Sequence, residues 1–168
     1  MKYFSLTLFA VLSLSAFSQS ILLKGGMVHS GTGAGATLQD ILISGNVIAK
    51  IGKNLTINGK TQVIDLNGLP VTPGLISPMS NLGIVEINAL DVTRDDESDI
   101  LKAGFSIFNA FNPHSTGIPW NRSNGVTSAI TSPGSSSFPM FGLASYFILD
   151  GSLEIKGLKD IAMFGRMG

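Results

Sequence analysis

Short β-type runs separated by glycine turns fill residues 20 to about 70, and this alternation constrains the fold more than any other feature of the chain. Ile21-Leu22-Leu23-Lys24 and Met27-Val28-His29 flank Gly25-Gly26. Asp40-Ile41-Leu42-Ile43 and Val47-Ile48-Ala49-Lys50-Ile51 flank Ser44-Gly45-Asn46, the pattern of a hairpin, because Gly and Asn accept positive φ. Gln62-Val63-Ile64-Asp65-Leu66 follows and is closed by Asn67-Gly68. Residues 19–70 are therefore predicted to supply strands of a small β-sandwich or sheet layer.

A leader precedes these strands. Met1-Lys2 is a short positive start, and Tyr3 to Phe17 carries no charge. Ala16-Phe17-Ser18 then places small residues at the two positions that a signal peptidase reads. Residues 1–18 are thus expected to be a secretory signal peptide, cleaved before Gln19. The apolar run is shorter than the roughly 20 residues that a membrane span requires. The expected location is outside the cytoplasm, periplasmic or secreted, with no membrane attachment after cleavage.

The character changes at Leu69-Pro70-Val71-Thr72-Pro73-Gly74-Leu75-Ile76, where two prolines frame an apolar stretch. That arrangement suits the start of a buried strand better than a helix. Residues 91–102 carry Asp91, Arg94, Asp95, Asp96, Glu97, Asp99 and Lys102 and read as an exposed loop or helix start. Phe105 to Phe111, Gly125 to Ile130 and Phe141 to Leu149 are apolar runs between polar loops, and Asp150-Gly151 makes a turn.

Composition removes several classes of function. The chain is 44% hydrophobic and 13% charged, which fits a core-forming chain rather than a disordered one. Formal net charge is zero, and loss of Lys2 leaves 10 basic residues against 11 acidic. Without a basic stripe, nucleic acid is not an expected partner. With no cysteine, disulfides, thiolate metal sites and cysteine nucleophiles are excluded.

Several motifs in order resemble the amidohydrolase superfamily, in particular its imidazolonepropionase-related members. They are the stretch from Asp40 to Gly52, then Val63-Ile64-Asp65-Leu66-Asn67-Gly68, then Val71-Thr72-Pro73-Gly74-Leu75-Ile76. Asn124-Gly125-Val126-Thr127-Ser128-Ala129 and Ile148-Leu149-Asp150-Gly151 continue the series. The resemblance runs from about residue 20 to about residue 155. It implies a β-sandwich assembled from both ends of the chain, and a (β/α)₈ TIM barrel between them. On this reading residues 19–70 are the N-terminal part of the sandwich. Residues 71–168 are the first strands of an incomplete barrel.

The resemblance also implies hydrolysis of non-peptide C–N (amide) bonds at a divalent zinc or iron ion. In the family an Asp-x-His-x-His motif after the first barrel strand holds that ion. Alternate residues on a strand point the same way, so two imidazoles can grip one metal. The metal then polarises the scissile carbonyl and activates water. Here Ser77 stands at the Asp position, and Met79 and Asn81 stand at the two His positions. A thioether and a carboxamide are poor substitutes, so no metal or other cofactor is expected on this chain, and its being an enzyme is left open.

Other residues do not restore the site. His29 and His114 are the two histidines of the chain, and both read as solvated polar residues rather than ligands. Asp95-Asp96-Glu97 reads as a solvated charge run and lacks the spacing of a calcium loop. Gly31-Thr32-Gly33-Ala34-Gly35 is too short for a dinucleotide fingerprint and reads as a turn. Ser132 to Ser137 lacks a nucleophile elbow. Asn54-Leu55-Thr56 and Asn121-Arg122-Ser123 match glycosylation sequons. Trp120 is expected to be a packing residue.

A (β/α)₈ barrel takes about 250 residues, whereas fewer than 100 follow residue 70. Unpaired strand edges and uncovered apolar faces are expected, so the chain alone is not predicted to be a stable monomer. Its expected partner is a missing C-terminal part or another chain. Three readings follow: the front part of an exported amidohydrolase-like enzyme, an exported scaffold or binding protein without catalysis, and a small self-contained β-rich domain.

Overall fold

The computed structural model describes residues 20–57, 59–134 and 137–166. The expected signal peptide, residues 1–18, lies outside them. The chain divides into two compact units between Pro73 and Gly74.

The first unit is one mixed sheet built from β1 (Ser20–Val28), β2 (Thr37–Ser44), β3 (Val47–Gly52), β4 (Thr61–Asp65) and β5 (Pro70–Val71). The strand order is β3-β2-β1-β4, with β5 beside the far end of β1. Strands β1 and β2 run antiparallel, as do β2 and β3, while β4 and β5 run parallel to β1. The hairpin turns where the sequence places it, and Gly45 takes the positive φ of 59°. Val71 still pairs with Val28, so the sheet extends past residue 70.

Gly25-Gly26 is not a turn between two strands, as the sequence pattern suggests, but a bulge inside β1. The register against β2 shifts between Leu23 and Gly26. Gly25 sits at φ 64°, and a Cβ on Gly26 would come within 2.8 Å of Leu66 and Val71. The bulge is fastened by the buried Asp40. Its Oδ1 accepts the Gly25 N–H at 2.8 Å, and its Oδ2 accepts the Leu55 N–H at 3.0 Å.

Residues directly opposite each other share a face of a sheet, and two largely apolar rows cross this one. They are Ile48–Ile43–Ile21, which ends on the polar Gln62, and Ile51–Ile41–Leu23–Ile64. Ile48, Ile51 and Ile64 remain exposed. Among the described residues the unit is a single layer rather than a two-layered sandwich.

The second unit holds β6 (Leu75–Ser80), α1 (Ile107–Ala110), α2 (Gly117–Ser123), β7 (Val126–Thr131), β8 (Met140–Ile148) and β9 (Gly157–Gly165). The sheet order is β6-β7-β8-β9. Strands β6 and β7 are parallel, joined by the long segment that carries both helices, as the first step of a barrel would be. Strands β8 and β9 then return antiparallel, which departs from the all-parallel barrel start expected from the sequence. Connection length explains the departure. Residues 132–139 and 149–156 are eight-residue links, and a parallel return needs about a dozen residues or more.

The core of this unit lies between the sheet and the helical segment. Leu82, Ile84, Phe105, Ile107, Phe111, Ile118, Ala129, Phe147 and Leu149 form one buried cluster. The apolar run Phe105 to Phe111 supplies it through a single helical turn, because its side chains close over Phe147. Gly83, at φ 80°, lets the ring of Phe111 approach; a Cβ there would lie 2.4 Å from that ring. Thr131, fully buried, donates from its hydroxyl to the Leu82 carbonyl at 2.9 Å.

The expectation of a buried strand at Val71 to Ile76 does not hold. Leu75 and Ile76 are each 57% exposed. Among the described residues their strand, β6, has β7 as its one neighbour in the sheet, so an edge replaces the interior position that the apolar run suggested.

Candidate site at the end of strand β6

Ser77, Met79 and Asn81 lie at the C-terminal end of β6, where the resemblance places a metal site. Ser77 is half-buried and pairs with Ala129. Ser80 pairs with Thr131, so three steps on β6 match two on β7. One residue is therefore bulged in Pro78-Met79, where proline has no N–H to give the ladder. Strict alternation from Ser77 to Met79 is lost. Met79 is 70% exposed, and Asn81 is exposed in the turn, where its carbonyl accepts the N–H groups of Ile84 and Val85, each at 3.1 Å.

These three side chains offer a hydroxyl, a thioether and a carboxamide. A hydrolytic zinc or iron site needs imidazoles and carboxylates, so the donor set does not fit such a metal. Among the described residues no three His, Asp or Glu side chains gather closely enough to hold a metal ion.

The two histidines occupy separate units. His29 is exposed just past β1, its N–H donating to the Val71 carbonyl at 2.8 Å. His114 is exposed in the loop before α2, its N–H donating to Asn112 Oδ1 at 2.9 Å.

The acidic run Asp95-Asp96-Glu97 is not uniformly solvated. Asp95 and Glu97 are exposed, but Asp96 is buried. Arg94 grips it with two parallel bonds, Nη2 to Oδ2 at 2.9 Å and Nε to Oδ1 at 3.2 Å. The hydrogen bond to Asp96, and then its charge, hold the Arg94 guanidinium above its ordinary pKa. The fork is what permits this burial, since a carboxylate leaves water readily only with a partner that meets both oxygens. An open, polar cleft of about 440 Å³ lies beside the pair, lined by Arg94, Asp95, Glu97, Ser98, Phe105 and Asn109.

Three other sequence expectations meet the geometry here. Trp120 on α2 is 73% exposed, so it is not the packing residue expected. Ile118, on the opposite side of the short helix, fills the core instead. Gly31 and Gly33 carry positive φ in the link between β1 and β2, as a turn requires. Ser135 and Ser136, within the loop that lacks a nucleophile elbow, lie outside the described residues.

Sequence reasoning missed one contact altogether. Ser106 Oγ donates to Asp160 Oδ1 at 2.5 Å, across 54 residues of chain. The one local signal is Ser106 at the N-cap of α1, where a serine usually bonds the helix backbone; here it makes no such bond.

Comparison with known proteins supplies relatives for this arrangement. No family model matches the chain. Over 71 residues, 42% of the chain, it is 38% identical to a 5-methylthioadenosine/S-adenosylhomocysteine deaminase from Thermococcus sibiricus, a match that takes in 16% of that protein. Its fold is similar to the crystal structure of an amidohydrolase from Thermotoga maritima MSB8. The TM-score is 0.66 and the identity 26%, over 80% of this chain and 34% of that one. The chain thus spans about a third of the length of its structural relative and less of the deaminase. Both relatives are longer proteins, and the likeness to each extends over the part of it that this chain spans. In sequence and in fold the chain is thus similar to proteins of the amidohydrolase superfamily.

Proposed function

We propose that this chain is the front part of an exported amidohydrolase-like protein, and that alone it does not catalyse the family reaction, hydrolysis of non-peptide C–N bonds. The observation that carries the reading is the set Ser77, Met79 and Asn81 at the end of β6. The position suits a first barrel strand, and the donors do not suit a metal. Export rests on the layout of residues 1–18. The front-part reading rests on the 34% of the structural relative that the chain spans. The sandwich and barrel would then be completed by further chain. Two features favour such completion: the Ile-rich face of the first sheet and the exposed edge of β6.

The donor set also favours a second reading, a non-catalytic exported scaffold or binding protein that has lost the metal site. Intact mass of the native protein, metal analysis and an amide-hydrolysis assay separate the two. A longer native product with bound zinc or iron and amidase activity supports the front-part reading. A metal-free protein that stays inactive after Ser77→Asp, Met79→His and Asn81→His are combined supports the scaffold. Stoichiometric zinc or iron bound by the present chain would overturn the account of its site.

A further inference from the structure

We propose that the bulge at Lys159–Ile161, pinned by Asp160, guards the β9 edge against pairing with a strand of another chain. Strand β9 is nine residues long, and among the described residues β8 is its one neighbour in the sheet. Leu158, Ile161 and Met163 on it are exposed. A long apolar edge of this kind is a template for strand addition, and bulges and charges are the usual means of blunting one.

The register shows where the ladder breaks. Ala144 pairs with Ala162, and Tyr146 pairs with Leu158. Two steps on β8 thus match four on β9, and the surplus holds Lys159, Asp160 and Ile161. Asp160 sits at φ 54°, a left-handed conformation that is disfavoured for residues bearing a side chain. Two hydrogen bonds to serines hold it there. Its N–H donates to Oγ of the fully buried Ser145 at 3.0 Å, and its Oδ1 accepts from Ser106 Oγ at 2.5 Å.

The anchor lies across the sheet. Ser106 forms a bridge with Leu143, which pairs with Met163 of β9 on its other side. The Ser106–Asp160 bond therefore spans β8. It draws the bulge inward and spends the Asp160 N–H on Ser145, where an incoming strand cannot use it. Lys159 and Asp160 place charge within the break.

The test compares the full chain with Asp160→Ala, Ser106→Ala and Asp160→Asn. Hydrogen exchange is followed across residues 157–165 at low and high protein concentration, with light scattering alongside. Asp160→Ala is expected to slow β9 exchange as concentration rises and to raise the mass. Adding Met163→Lys should reverse both changes. Asp160→Asn keeps an acceptor and tolerates positive φ, and should behave as the parent does. If Asp160→Ala does not fold, Ser106→Ala gives the same reading with the backbone unaltered. Concentration-independent β9 exchange in both variants would overturn the proposal. So would concentration-dependent protection of β9 in the parent chain, or association that survives Met163→Lys.

Discussion

The rings of Phe111 and Phe147 stack with centroids 3.8 Å apart and 12° between their planes. Phe147 is fully buried, and Phe108 stacks on it at 5.7 Å. Removing a buried phenylalanine costs about 3–5 kcal/mol. Phe147→Ala is therefore expected to unfold the second unit at markedly lower denaturant, measured by circular dichroism. Gly83→Ala should act through the same stack, costing about 1–3 kcal/mol by overpacking and more for its positive φ. In a Phe111→Ala background the steric part of that cost should disappear, a coupling that a double-mutant cycle reads directly.

The strands of this protein are legible in its sequence because their signals are local. Gly45 turns the hairpin, Asn67 and Gly68 close β4, and the apolar runs at Gly125 to Ile130 and Phe141 to Leu149 become β7 and β8. What the sequence does not show depends on neighbours. Leu75 and Ile76 read as buried, but burial is set by the strands alongside, and β6 is an edge. Asp96 reads as one more solvated acid, yet Arg94 two residues away folds back to hold it. Gly25-Gly26 reads as a turn because the Asp40 side chain that makes it a bulge lies 15 residues on. The candidate site divides in the same way. Its residue types are plain in the sequence, whereas the bulge at Pro78-Met79 exists only in the pairing with β7.

Asp40 makes stability depend on pH. Its carboxylate accepts the Gly25 and Leu55 N–H groups, which hold its pKa below the ordinary 3.8 against the opposing effect of burial. A carboxyl whose pKa is lower folded than unfolded stabilises the fold above the unfolded value and loses that contribution as pH falls through the folded one. The first sheet should therefore weaken below about pH 4. Asp40→Asn should cost about 1–3 kcal/mol at neutral pH, since an amide serves two N–H donors poorly. It should also flatten the acid limb of the stability curve. Melts of parent and variant across pH 2–7 check this, and parallel curves would remove Asp40 from the account.

Trp120 reports on a surface the sequence did not anticipate. As the one tryptophan of the chain and 73% exposed, it should emit at wavelengths close to those of indole in water and be quenched readily by iodide. Unfolding should move its emission little. Trp120→Ala should leave stability within about 0.5 kcal/mol of the parent, as for other surface positions. Blue-shifted, protected emission would instead mean that a partner or a second copy covers α2.

Two ion pairs among the described residues of the second unit should respond differently to loss of a cation. Lys156 and Asp150 meet at 2.7 Å with both side chains well exposed. The hydrogen bond from Lys156 is the main reason that Asp150 is held below its ordinary pKa. Such a pair is screened by salt and adds little to stability. Arg94 and Asp96 differ because the Asp96 side chain is 5% exposed, and its backbone carbonyl also accepts the Gly134 N–H at 2.7 Å. Arg94→Ala strands that carboxylate away from water without its cation, so it should destabilise the unit far more than Lys156→Ala. High salt should erase the smaller effect and leave most of the larger. Arg94→Lys should recover only part of the loss, because one ammonium cannot reproduce the two parallel bonds from Nε and Nη2. Denaturant melts of the three variants at low and high salt give the order. Equal losses for the two alanine variants would show that burial of Asp96 contributes nothing.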